Sequence, residues 1–130
     1  MNEASPSSSR EIGSSSADAP VDRSVLAEIS GGDTAVERHI LMEFRRANDE
    51  DAAMLRQAVA DGDIGQVTHA AHRIKGASRT VGAMSLASVC ESLEHAARAN
   101  DWGAIAAHMA TFHRELESVD AYFDALEASQ

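Results

Sequence analysis

Apolar residues recur at three- and four-residue steps through four long stretches of this chain, the spacing that lines one face of an α-helix. In the first stretch, from Asp33 or Thr34 as N-cap to about Ala60, the positions are Val36, Ile40, Phe44, Ala47, Leu55 and Ala58, interrupted by Asp51. Asp61-Gly62-Asp63 ends it. The second carries Ile64, Val67, Ala71, Ile74 and Ser78 as its inward stripe and stops at Val81-Gly82. Leu86, Val89, Leu93 and Ala97 define the third, closed near Asn100-Asp101. The fourth is the most regular, with Trp102, Ile105, Met109, Phe112, Leu116, Val119, Phe123 and Leu126. A short amphipathic helix precedes them, with Val25, Leu26 and Ile29 apolar and Gly31-Gly32 as its stop. Short connections force antiparallel neighbours. The pattern therefore predicts an all-α, up-down-up-down four-helix bundle with a short N-terminal capping helix.

Residues 1–20 lie outside this pattern. They are rich in Ser and contain both prolines, Pro6 and Pro20, and they hold too little apolar surface to offset the entropy of ordering. The expectation is a disordered tail or linker over 1–20 and one helical domain over 21–130. A chain of 130 residues has room for one modest core.

Composition narrows the partners. A formal charge of −10 argues against nucleic acid, whose phosphates such a surface repels. No apolar run is long enough to span a membrane, and the N-terminus lacks a signal peptide's charged start and apolar centre, so neither membrane contact nor export is expected. The domain is expected to be a cytoplasmic monomer, or the cytoplasmic C-terminal module of a membrane-bound sensor. The single cysteine, Cys90, excludes an intrachain disulfide framework and sits on an apolar stripe as a small core residue.

Charge is not evenly spread. All 21 acidic residues lie outside residues 64–90, a window that holds Arg73, Lys75 and Arg79. The run His69-Ala-Ala-His72-Arg-Ile-Lys75-Gly76-Ala-Ser78-Arg79 contains the only lysine of the chain. At ~100° per residue, His72 lies roughly 140° from the mean direction of the inward stripe and faces solvent, with Gly76 and Arg79 close to its direction and Lys75 and Thr68 on the flank. An exposed imidazole, a cation nearly one turn on and a residue without a side chain, with no carboxylate expected nearby, make a phosphate-handling patch. The glycine lowers helix stability by about 1 kcal/mol relative to alanine, which a close-approaching partner surface would explain.

The stretch from Ala71 through His72, Lys75, Gly76, Ser78 and Gly82-Ala83, followed by Leu86, Cys90, Leu93 and Glu94, resembles the histidine-containing phosphotransfer (HPt) domain family, and its wording is closest to the C-terminal modules of unorthodox or hybrid sensor histidine kinases. The likeness in architecture covers about 22–127. It implies a phosphoprotein of two-component signal transduction, which takes phosphate from a receiver-domain aspartate and passes it to an aspartate of a response regulator. His72 then matches the phosphoacceptor, Lys75 the phosphate-stabilising lysine and Gly76 the clearance position. Glu94 matches a family position that contacts the active histidine from the neighbouring helix and would orient the imidazole. Thr68, His69, Arg73, Gly76 and Arg79 would form the docking surface for receiver domains of a hybrid kinase or a response regulator. No nucleotide loop is present, so the chain is expected to carry phosphate without its own ATP site. No cofactor is expected in this chain, and Mg²⁺ is expected on the partner receiver.

Two other readings of the residues stay open. A non-catalytic helical adaptor explains the charge window without using His72. A metal-binding bundle would use His69, His72 and His95, although the Glu-x-x-His spacing of such bundles is absent. His39, His108 and His113 read as surface or flank residues.

Overall fold

The structure, a computed structural model, describes residues 19–128. The Ser-rich leader lies outside the described residues except for Ala19 and Pro20, which are half-buried and lead into the buried Val21. Five helices follow: α1 (Arg23–Ser30), α2 (Thr34–Asp61), α3 (Ile64–Val81), α4 (Met84–Arg98) and α5 (Trp102–Ala128). The last four form an antiparallel up-down-up-down bundle in which each packs on its sequence neighbour, with α3 and α4 the most extensively packed pair, while α1 lies on α2 and α3. Phe44 of α2 meets Phe123 of α5 edge to face at 5.7 Å, and Arg45 reaches Asp124 at 2.8 Å, closing the ring of helices.

Local chemistry sets the helix ends. Asp22, Asp33 and Asp63 accept hydrogen bonds from the first-turn amides of α1, α2 and α3, and Asp101 does the same for Ala104 at the start of α5. Helix α4 alone of these begins without a side-chain cap, at Ala83. Its start is fixed from outside. Gly82 adopts φ 83°, and its carbonyl accepts the amide of Asp22 at 2.8 Å, so the chain entering α1 is tied to the α3–α4 turn. A Cβ on Gly82 would stand 2.4 Å from the carbonyl oxygen of Asp22. Asn100 closes α4 at φ 56°, a left-handed position that asparagine tolerates.

The core runs the length of the bundle through Leu55, Val67, Ile74, Leu86, Leu93, Ile105, Phe112 and Phe123, all at most 1% exposed. Burying each such side chain stabilises the fold by about 1.5–3 kcal/mol. The expected inward stripes of α3 and α4 match the buried residues except at Ile64, which is half-buried. Within the expected stripe of α5, Trp102, Leu116 and Leu126 are half-buried. In α1 only Leu26 is buried among the apolar residues; Val25 is half-buried and Ile29 is exposed.

Helix α2 departs further from its expected stripe. Val36 is exposed and Ile40 and Ala47 are half-buried, whereas Leu41, Asn48, Asp51 and Ala52 are buried beside Phe44, Leu55 and Ala58. Asp51 is not a break in the face but part of it. Its carboxylate is neutralised by Arg73 of α3, which a periodicity of apolar residues does not register.

Candidate functional site

The outward face of α3 carries His72, and the side chain is 68% exposed. It lies one residue beyond the buried Ala71 and two before the buried Ile74, so the helix turns its ring away from the core. The ring leans toward α4, where Glu94 sits between the buried residues Leu93 and Ala96 and is itself only 1% exposed. Nδ1 of His72 lies 2.9 Å from Oε2 of Glu94. A carboxylate only accepts hydrogen bonds, so Nδ1 is the donor of this bond, and in the neutral ring the free lone pair is the one on Nε2.

Glu94 is ionised because its neighbours outweigh its burial. Burial by itself pushes the carboxyl pKa up, but the Lys75 ammonium and then the His72 ring lower it further, leaving it below the ordinary carboxylate range. Lys75 Nζ stands 2.5 Å from Oε1 and Arg98 Nη2 stands 3.3 Å from Oε2. Oε1 has the Lys75 ammonium as its close partner, in a short ion pair between a largely buried lysine and a buried carboxylate. Lys75 accordingly bends inward against α4, with its side chain 15% exposed. One turn before Glu94, the buried thiol of Cys90 is pushed up to about 12 by burial and by the Glu94 charge.

The remaining residues singled out in the sequence are brought to the same face but not left free. Arg73 Nε pairs with Asp51 at 3.0 Å, and Arg79 Nη2 pairs with Glu91 at 3.2 Å. The patch free of carboxylates therefore exists only along α3; across its flanks α2 and α4 supply Asp51, Glu91 and Glu94. Thr68 Oγ1 donates back to the carbonyl of Ile64 at 3.0 Å, and His69 is exposed. A Cβ built on Gly76 meets no heavy atom within 4 Å. Nothing inside the molecule asks for glycine there. Beside it, between α2 and α3, a groove of about 280 Å³ is lined by Ile40, Phe44, Ala47, Ala77, Thr80 and Val81, together with Glu43 and Arg46.

Apolar periodicity reveals neither Asp51 nor Arg98 as a partner of this face, although an arginine four residues after a glutamate on one helix is a readable ion-pair spacing. His95 is exposed and its nearest carboxylate, Glu91, is 4.0 Å away. Among the described residues no three His, Cys, Asp or Glu side chains gather as a metal site. No helix among them is long and apolar enough to cross a membrane. His39 and His113 are exposed and His108 is half-buried.

Comparison with known proteins gives a consistent assignment. The Hpt domain family matches residues 39–127. Among solved structures, the crystal structure of histidine-containing phosphotransfer protein B (HptB) from Pseudomonas aeruginosa PAO1 is similar, with a TM-score of 0.79 and 28% identity over 85% of this chain and 96% of that chain. No curated protein matches the sequence.

Proposed function

Because the chain belongs to the Hpt domain family and is a histidine phosphotransfer protein of a phosphorelay, we propose that Nε2 of His72 is the atom that carries its phosphoryl group. The observation that supports this most directly is the division of the ring: Nδ1 is held by the buried Glu94 while the rest of the side chain is open to solvent. A ring protonated at Nδ1 alone is a nucleophile at Nε2 and needs no separate base.

In the transfer step the Nε2 lone pair forms the N–P bond as the bond from phosphorus to the receiver's aspartyl oxygen breaks. The leaving electron pair stays on that oxygen and regenerates the receiver carboxylate. No proton moves. The ring keeps hydrogen on Nδ1 and becomes cationic, and Glu94 stabilises that cation. The reverse path to a second receiver needs the same groups. Lys75 offsets the charge on the equatorial oxygens of the phosphoryl group, the principal help a protein gives to a loose transfer. In this reading the required Mg²⁺ is supplied by the partner receiver.

Hpt domains exchange phosphate with receiver domains of response regulators or kinases. For this chain, the docking surface in our reading is the α3 face around Gly76, with Thr68, His69, Arg73 and Arg79 at its margins, presented by a monomer in the cytoplasm. Incubation with a phosphorylated receiver tests the assignment. Acid-labile phosphate should appear on the wild-type chain and be lost in His72→Gln. Label that persists in the variant, or receiver binding with no label at all, would refute it in favour of another acceptor or of an adaptor.

A further inference from the structure

Glu94 has three positively charged or proton-bearing neighbours, and they are not equivalent. Oε2 accepts hydrogen bonds from His72 Nδ1 at 2.9 Å and Arg98 Nη2 at 3.3 Å, whereas Oε1 faces Lys75 alone. Once the N–P bond has formed, a group with a charge near −2 stands on the neighbouring ring and competes for the same ammonium. If Lys75 turns to it, Oε1 is left at a position only 1% exposed, and an uncompensated buried carboxylate is strongly unfavourable.

Arg98 is placed to prevent this. It follows Glu94 by one turn of α4, its side chain is 60% exposed and free to shift, and its planar fork of donors matches both oxygens of a carboxylate. Resting on the reading of His72 as phosphoacceptor, we infer that Arg98 is a positioning residue that takes over Oε1 of Glu94 when Lys75 turns to the phosphoryl group.

The test is the equilibrium for phosphate shared between this chain and a receiver, measured in wild type, Arg98→Ala, Lys75→Ala and the double variant, each checked for folding by circular dichroism. An equilibrium between free species does not depend on how tightly the encounter complex docks. Arg98→Ala should shift phosphate toward the receiver by about tenfold, the size of one charge-assisted hydrogen bond. In the Lys75→Ala background, where Arg98 serves Glu94 in both states, the same substitution should change the ratio less than twofold. Equal effects in both backgrounds, or none in the wild-type background, overturn the inference. Should Arg98→Ala not fold, Arg98→Gln carries the same comparison. Loss of all labelling in the wild type would instead overturn the assignment of His72.

Discussion

Nδ1 of His72 on α3 and Oε2 of Glu94 on α4 are 2.9 Å apart, although Glu94 is almost wholly buried and the His72 side chain is largely in solvent. The two residues have different access to water, so their removal has different consequences. Glu94→Gln keeps an acceptor for Nδ1 but loses the charge that stabilises the ring cation. Phosphorylation of His72 from a receiver should slow by about tenfold, roughly one charge-assisted hydrogen bond, with the bundle still folded. Unchanged rates in stopped-flow transfer would remove Glu94 from the mechanism.

Lys75 and Glu94 should also be unequal in stability. Lys75→Ala leaves a carboxylate that cannot reach water and has only Arg98 and the His72 ring beside it, whereas Glu94→Gln leaves cations that can swing outward. The first should lower stability by about 2–3 kcal/mol and the second by about 1 kcal/mol or less, read from urea denaturation.

Acid should expose the same carboxylate. Because the folded-state pKa of Glu94 is depressed, its ionic contribution is complete above the unfolded carboxylate value of about 4.3 and disappears as pH falls through the lower folded value. Between pH 7 and 5, thermal midpoints of wild type and Glu94→Gln should run parallel. Below about pH 4.3 the wild type should fall more steeply, and parallel curves there would contradict the charge assignment.

Gly76 separates folding from docking. No atom of the molecule approaches its Cα on the open side, so Gly76→Ala should raise stability by about 0.5–1 kcal/mol through helix propensity. Transfer from a receiver should slow, because the added methyl stands on the proposed docking face, while phosphorylation by the small donor phosphoramidate should be unaffected. Equal rates with the receiver would mean that no partner surface comes close at this position.

Gly82 offers the opposite case. Its positive φ and the Asp22 carbonyl oxygen 2.4 Å from a built Cβ make Gly82→Ala costly on two counts, by about 2 kcal/mol or more. The loss should appear as faster amide exchange in α1 before the rest of the bundle opens. Cys90 supplies an independent probe: with its thiol pKa near 12, it should resist iodoacetamide at pH 8 in the folded protein and react once the bundle unfolds.

The helices and their stops were legible in the sequence because apolar period and punctuation agree: Asp33, Asp63 and Asp101 cap, and Gly62 and Gly82 terminate. The outward direction of His72 followed from the same geometry. What single-helix arithmetic does not contain is traffic between helices. Val36 satisfied the apolar spacing of α2 but lies exposed near its first turn, while Asn48 and Asp51 occupy the buried face. The acid-free window was real along α3, yet Asp51, Glu91 and Glu94 answer its cations from α2 and α4. Arg98 enters for the same reason, since its importance depends on how deeply Glu94 is buried.

Placing the reactive ring and its anchor on separate helices makes their hydrogen bond a gauge of interhelical spacing. A slide of α3 past α4 by a fraction of an ångström, of the kind an enlarged alanine at their contact would impose, would retune the nucleophile with every site residue intact. Under the proposed chemistry, transfer should therefore respond to changes in the packing seam, at a distance from the proposed docking face.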